Sequence, residues 1–336
     1  MKRHSVKTFF VLLGILCLSQ AGSAQFITAS DKRKLAVRED SLQEYAFYMA
    51  TDTTTEDRMV SDSIFTRILV RTLQVKNSFY YPFDSVKGVS RLYAPDSTFR
   101  IFTWNLQFDE SYSRQKGAIQ FRTKDGSLKL IRLRDVSEFT DAAEDSVRDR
   151  DHWIGAVYYK IIKTQYNGRN YYTLFGFDNY SALSSKKWVE VLYFNERNEP
   201  VFGGPFFSYE KDSPRQPARY RFSIEYKKEA RTVVNYVDEM GMILVDHLIS
   251  ETDEPDNKWT YVPDGDSEGF RWENGKWVHV DKAFDFQLDM NGADPNMGRP
   301  PVGAPILDNK GKKNDKKLEE QSNKNKAKEP YRPSSD

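Results

Sequence analysis

The sequence has a single cysteine, Cys17, among its 336 residues. It lies in an apolar stretch, Phe9 to Leu18, that follows a basic start and precedes small residues. This layout predicts a secretory signal peptide over residues 1–24, because the apolar stretch is too short for a stable membrane anchor. Cys17 would leave with that peptide, so we expect an exported protein without disulfides or thiol chemistry.

Long apolar runs are missing after the signal peptide, so we expect no transmembrane segment and a location in the periplasm or at the cell surface. A large excess of one charge is missing as well. The net charge is +1, and residues 1–24 and 308–336 each carry +3, which leaves −5 for residues 25–307. A mildly acidic body argues against a nucleic-acid partner.

Recognisable catalytic motifs are also missing, since no serine lies in a G-x-S-x-G turn. The remaining candidates are Asp246, His247 and His152, because ionisable residues within an apolar strand are uncommon unless they are paired. Asp151 precedes His152, but neighbouring strand residues point to opposite faces, so adjacency alone orients neither pair. If these side chains meet in a cleft, they would serve an exported hydrolase or carbohydrate-active enzyme.

Clusters of histidine or cysteine that would suggest zinc or iron are missing. Asp264, Asp266 and Glu268 copy the opening of a calcium-binding loop and are the metal candidates. The twelfth position of that loop, where a closing carboxylate is needed, holds Gly275. Asp and Gly are also typical of ordinary turns, which is the alternative for this segment. We expect no cofactor.

The spacing of the hydrophobic residues changes along the chain and divides it into segments. Residues 25–80 predict a helical hairpin, with Ser30 as one N-cap and with Thr53 and Glu56 as a capping box. Alternating patterns predict a first β meander over residues 81–140 and a second over residues 141–284. The polar segment near residue 140, a short helix or a long surface loop, would separate them. Residues 285–336 have the composition of a disordered Lys-rich tail.

The run from Trp153 to Leu248 predicts consecutive antiparallel hairpins. Asn167-Gly168 is the strongest turn signal, because a tight hairpin needs positive φ at both central residues. Further turns are expected at Lys124-Asp125-Gly126, Lys227 to Ala230, Asp238 to Gly241 and Glu273-Asn274-Gly275.

Aromatic residues occur in adjacent pairs in this run, so each pair places one ring on either face of its strand. If one face is solvent-exposed, its rings can stack on sugars or grip a peptide. If both faces are covered, by the helices and by a second sheet, the rings are core. The binding candidates are Tyr158, Tyr172, Phe175 and Tyr193.

At VFGGPFF, MILVDHLI and GFRWENGKWVHVDKAF the chain resembles uncharacterised exported proteins of Bacteroidetes-type Gram-negative bacteria. The resemblance covers roughly residues 30–285 and implies an envelope location. It implies no activity, because none of these motifs is a catalytic signature.

Together these features predict an α+β fold in which an N-terminal helical hairpin packs on a large antiparallel β meander, a sandwich or a partly closed barrel. The predicted function is non-enzymatic: the protein binds or scaffolds a partner in the periplasm or at the cell surface, either a protein or a glycan of the envelope. The alternative is the exported hydrolase or carbohydrate-active enzyme that uses Asp246 and His247.

Overall fold

A computed structural model of the chain describes residues 27–283. The predicted signal peptide and the predicted Lys-rich tail lie outside the described residues. Two helices come first and are followed by strands in three sheets, so the α+β prediction is confirmed. Neither helix of residues 27–283 combines the length and the apolar character needed to cross a membrane.

The helical hairpin consists of α1 (Ala29–Thr51) and α2 (Thr55–Leu73). Their N-caps are Thr28 and Thr54, two residues before and one residue after the predicted positions. Each threonine hydroxyl accepts a hydrogen bond from the backbone N–H three residues later. In both cases that third residue is an aspartate. Its carboxylate accepts a hydrogen bond from the threonine hydroxyl, which favours the observed start of the helix.

The first sheet is a four-stranded meander in the order β1-β2-β3-β4, and every pair in it is antiparallel. Its strands are β1 (Val89–Tyr93), β2 (Phe99–Gln107), β3 (Ser113–Phe121) and β4 (Lys129–Arg134). The turn predicted around Gly126 joins the last two strands. The helices cover one face of this sheet, where Phe102, Trp104 and Leu106 of β2 pack against their buried side chains.

The second sheet has the order β10-β7-β6-β5, with β8 paired to β7. Its strands are β5 (Val157–Tyr166), β6 (Arg169–Asp178), β7 (Ser184–Phe194), β8 (Pro200–Phe202) and β10 (Arg221–Lys227). The hairpin predicted at Asn167-Gly168 is confirmed, with φ of 47° and 72° at its two central residues.

The third sheet has the order β11-β12-β13-β14-β9, and its β14–β9 pair is parallel. Its strands are β9 (Phe207–Ser208), β11 (Val234–Val237), β12 (Met242–Ser250), β13 (Tyr261–Glu273) and β14 (Lys276–Val280). The hairpins predicted at Asp238 to Gly241 and at Asn274 are confirmed. The segment from Lys227 to Ala230 is different, because it joins β10 of the second sheet to β11 of the third and closes no hairpin.

Three hydrophobic cores separate four layers. The first lies between the helices and the first sheet, the second between the first and second sheets, and the third between the second and third sheets. The second sheet is therefore covered on both faces by other sheets. The helices pack on the first sheet instead of on the Trp153 to Leu248 run. None of the three sheets within residues 27–283 closes into a barrel.

Candidate functional site

A polar cleft of about 570 Å³ opens where the first and second sheets meet. One wall comes from the start of β3, and the opposite wall comes from the end of β6 and the start of β7 with part of β10. The remaining wall is the segment that follows β4, which forms short 3-10 turns at Ser137–Phe139 and Ala143–Asp145. The polar stretch near residue 140 is thus a loop, and it lines this cleft.

Asp135 holds that loop against the first sheet. Its Oδ2 accepts the backbone N–H of Gln115 at 2.9 Å, and its Oδ1 accepts the N–H groups of Ser137 at 2.9 Å and Gly155 at 3.0 Å. A Cβ at position 155 would lie 2.4 Å from Asp135 Oδ2, so only glycine allows this approach. Three backbone donors on one carboxylate make Asp135 the organising residue of the cleft wall.

Asp178 ends β6 and lies on the floor of the cleft with a relative exposure of 6%. Its Oδ1 accepts Gln115 Nε2 at 2.8 Å and the backbone N–H of Tyr180 at 3.0 Å. No described residue donates a hydrogen bond to Oδ2, which leaves that oxygen for a ligand. Burial, together with the negative charge of Asp135, raises the pKa of Asp178 to about 6 against the lowering effect of these bonds.

Trp188 of β7 lines the same cleft and is 7% exposed. Its indole Nε1 is buried, and no acceptor for its N–H is found within residues 27–283. Buried donors are nearly always paired, so this indole N–H is an unpaired group inside the wall, while the residue itself borders the cleft. The cleft therefore presents a carboxylate oxygen from Asp178 and aromatic surface from Trp188.

Lys186 and Tyr180 form one rim. The Lys186 ammonium lies 3.5 Å from the centroid of the Tyr180 ring and 3.5 Å from Glu225 Oε2. Tyr180 has a φ of 38°, a value that costs free energy for a residue with a side chain. The hydrogen bond from its N–H to Asp178 helps to hold this turn, so the strained backbone is held by the carboxylate on the cleft floor.

Three of the four predicted binding rings lie in the core. Tyr158 and Phe175 are fully buried and Tyr172 is 4% exposed, because sheets cover both faces of their strands. Side chains in these positions cannot contact an external partner. Tyr193 is half-buried, with its ring centroid 6.0 Å from that of Tyr171, and does not line the cleft.

The predicted catalytic residues are held in separate hydrogen-bonded pairs. His152 Nδ1 lies 2.8 Å from Asp149 Oδ1, and both side chains are exposed. Asp246 accepts the backbone N–H of Val233, next to β11. None of these side chains lines the cleft, and neither does Asp151.

His247 lies at a bulge in the β12–β13 pairing, where the register shifts between Asp246 and Leu248. Its Nδ1 is 2.8 Å from Asp264 Oδ2. The bulge turns the ring toward the neighbouring strand and away from Asp246. A His–Asp contact thus exists, but with Asp264 and on an exposed edge.

The predicted calcium ligands are on a strand instead of in a loop. Asp264, Asp266 and Glu268 all belong to β13, where alternate residues are spread along the strand. Asp264 contacts His247, and Glu268 Oε2 lies 3.2 Å from His279 Nε2. Across residues 27–283 no three His, Cys, Asp or Glu side chains converge in a metal-binding group.

Sequence reasoning missed the cleft residues Asp178, Trp188 and Asp135. The available signal was weak: Asp178 ends an apolar strand in FGFDNY, and Asp135 follows KLIRLR. The hydrogen bond that joins Gln115 to Asp178 spans 63 positions, so no local pattern could reveal it.

No known protein family matches the chain, and no characterised protein matches it either.

Proposed function

We propose that this chain is an exported, non-enzymatic binding protein and that its cleft holds a saccharide portion of an envelope glycan. The observation that carries the proposal is the buried Asp178 carboxylate on a polar cleft: its Oδ1 accepts two hydrogen bonds, and its Oδ2 accepts none from residues 27–283. Saccharide hydroxyl groups both donate and accept hydrogen bonds, so a sugar hydroxyl can donate to Oδ2. The N-terminal sequence supports export.

The size and composition of the cleft agree with a small polar ligand. A volume of about 570 Å³ lies within the range of small-molecule sites and is far too small for a folded partner. Tyr112, Tyr180 and Trp188 contribute aromatic surface beside the carboxylates. Aromatic faces pack against the C–H faces of sugars, while the polar groups fix their orientation.

A screen of immobilised glycans with the purified full chain tests this proposal. We expect retention on a subset of glycans, and we expect Asp178→Ala to lose it because alanine offers no oxygen to a sugar hydroxyl. His247→Ala is the control, since His247 lies outside the cleft and should leave retention unchanged. Retention that survives in Asp178→Ala would contradict the assignment of the site, and no retention on any glycan would contradict the function.

A carbohydrate-active hydrolase is the second candidate, favoured by the raised pKa of Asp178 beside the second carboxylate Asp135. A carboxyl that stays protonated near neutral pH is suited to a general acid, and glycoside hydrolysis uses two carboxyl groups. New reducing ends released from a retained glycan would support this candidate. They should vanish in Asp178→Asn and persist in Asp246→Asn, because Asp246 lies elsewhere.

A further inference from the structure

The charges that line the cleft are strongly unbalanced. Two basic side chains, Arg114 and Lys186, face six carboxyl groups, which gives a net charge of −4 when all are ionised. The six are Asp135, Glu138, Asp141, Glu144, Asp145 and Asp178. A concave site lined by one sign of charge concentrates ligands of the opposite sign.

Only some of these carboxylates are neutralised by neighbouring cations. Glu138 pairs with Arg114 at 3.1 Å, and Glu144 pairs with Arg219 at 3.2 Å. Among the described residues, Asp141 and Asp145 form no ion pair. Asp178 also has no cation within ion-pair distance in residues 27–283, although it lies on the floor of the cleft. The floor and the loop wall therefore keep a negative field.

The Asp178 carboxylate sets the class of ligand. Its Oδ2 accepts hydrogen bonds, and an ammonium adds charge to such a bond, which makes it stronger than a bond from a neutral hydroxyl. Trp188 lines the same cleft, so its indole offers aromatic surface to the C–H face of a sugar whose amine lies on Asp178.

We propose that the ligand of this cleft is an amine-bearing saccharide, with its ammonium on Asp178 and its ring beside the indole of Trp188. The inference rests on the proposed function and names the class of sugar. An N-acetylated sugar has lost the positive charge, and a neutral sugar never had it. The net charge of the cleft distinguishes the amine from both.

Protonation of Asp178 links this binding to pH. The charged groups whose fields reach its carboxyl are Asp135 of the loop, Lys186 of β7 and Lys228, which follows β10. Burial and Asp135 keep part of the Asp178 population protonated below a pH of about 6. A protonated carboxyl does not attract an ammonium, so the affinity for an amine that keeps its charge rises as the pH increases through 6.

Calorimetric titration of the full chain with three disaccharides tests the proposal: a glucosamine disaccharide, its N-acetylated counterpart and cellobiose. At pH 7.5 we expect the glucosamine disaccharide to bind about tenfold more tightly than the other two. Asp178→Asn, which keeps the shape and removes the charge, should reduce this preference to about twofold or less. Asp266→Asn, an exposed carboxylate outside the cleft, should keep it.

The pH series on the wild-type chain checks the same point without a variant. Affinity for the glucosamine disaccharide should increase from pH 5 to pH 6.5, where its amine stays charged, while affinity for cellobiose stays level. Equal binding of the amine and N-acetylated disaccharides would overturn the inference and leave the saccharide function standing. Failure of all three disaccharides would overturn both, and equal competition by a lysine tripeptide would overturn the saccharide class.

Discussion

Gln115 donates from Nε2 to Asp178 Oδ1 over 2.8 Å, and this bond ties β3 of the first sheet to the end of β6 in the second. Both side chains are buried. The bond holds Asp178 at the floor of the cleft with Oδ2 left over. The position of the candidate ligand atom therefore depends on how two separate sheets meet.

Asp178→Asn should stabilise the protein at neutral pH. The folded-state pKa of about 6 lies above the ordinary value of 3.8, so the folded state favours the protonated carboxyl. The stability that the protonated Asp178 carboxyl gives the folded state is fully present below about pH 4 and is lost as the pH rises through 6. An asparagine has no charge to bury and avoids this loss, which amounts to about 3 kcal/mol above pH 7.

Urea unfolding of both proteins at pH 4, 5, 6 and 7.5 measures this effect. The free energies of unfolding should diverge between pH 4 and pH 7, with the variant gaining as pH rises. Asparagine Oδ1 can still accept the bonds from Gln115 and Tyr180, so geometry should be preserved. Parallel profiles would show that Asp178 does not titrate in this range.

Arg221→Leu should cost about 3–5 kcal/mol in unfolding free energy. Arg221 Nε donates to Glu190 Oε2 at 2.7 Å, and both side chains are almost completely buried. Removing the arginine leaves the Glu190 carboxylate buried without its partner cation. For comparison, Lys211→Ala breaks the exposed pair with Glu273 and should cost less than about 1 kcal/mol.

The same arginine also supports the cleft. Its Nη1 donates to the backbone carbonyls of Ala143 and Ser146 at 2.7 Å each, and Ala143 lines the cleft. Arg221→Leu should therefore speed amide hydrogen exchange in residues 141–147 relative to β12, whose residues accept none of the arginine's hydrogen bonds. Unchanged exchange in that loop would mean that other contacts fix it.

His279 should stabilise the protein at low pH. Burial favours the neutral ring, but the hydrogen bonds and charges of Glu268 and Asp212 outweigh burial and raise the pKa of His279 above 6.5. Nδ1 lies 2.8 Å from Asp212 Oδ2 and Nε2 lies 3.2 Å from Glu268 Oε2. Stability from this ion pair is fully present below pH 6.5 and is lost as pH rises through the raised pKa.

His279→Gln should remove that pH-dependent step, because a glutamine cannot carry the charge. Unfolding free energies at pH 6 and pH 9 give the comparison, and proton NMR of the wild-type ring gives the pKa directly. A pKa for the His279 ring at or below 6.5 would contradict the prediction.

Local patterns were enough for the presence of the two helices, although not for their N-cap residues, and for most hairpins, since turns depend on neighbouring residues. Asn167-Gly168 is an example, because positive φ at two successive positions is a local requirement. Local patterns could not predict which layer packs against each face of a sheet. Alternation in β6 shows two apolar faces but not that the first and third sheets cover them, which is why Tyr172 and Phe175 looked available for binding.

The cleft escaped prediction for the same reason. Asp135, Asp178 and Trp188 come from three different segments, and each is an ordinary residue in its own sequence context. Their chemistry appears only when the first two sheets pack together. The polar segment near residue 140 was visible as an irregular stretch, but its role as a wall depends on the carboxylate of Asp135.

Gly155→Ala should damage the cleft more than the overall fold. The new Cβ would lie 2.4 Å from Asp135 Oδ2, so the carboxylate must move and release backbone donors. We expect a loss of roughly 1–3 kcal/mol and a weaker glycan interaction. Gly168→Ala is the control: its φ of 72° makes alanine unfavourable by about 1 kcal/mol or more, but it lies in the β5–β6 turn. Equal glycan retention by both variants would contradict the role of Gly155.

Trp188→Phe and Trp277→Phe form a matched pair that separates ligand binding from stability. Both tryptophans are buried, but Trp277 Nε1 donates to Thr173 Oγ1 at 3.0 Å, whereas Trp188 Nε1 has no acceptor within residues 27–283. Trp277→Phe therefore leaves a buried hydroxyl unpaired, which adds about 1–3 kcal/mol to the cost of the smaller ring. Trp188→Phe loses no such bond and relieves an unpaired donor, so its unfolding free energy should fall by less.

The order of the two variants should reverse for glycan retention. Trp277 lies in the third core, away from the cleft, so its variant should retain glycan wherever it is folded. Trp188→Phe should weaken retention despite its higher stability, because the smaller phenylalanine ring offers less aromatic surface to a sugar. Urea unfolding and the glycan screen on the same preparations give both readouts. If the less stable variant is also the weaker binder, the ring of Trp188 is not a ligand contact.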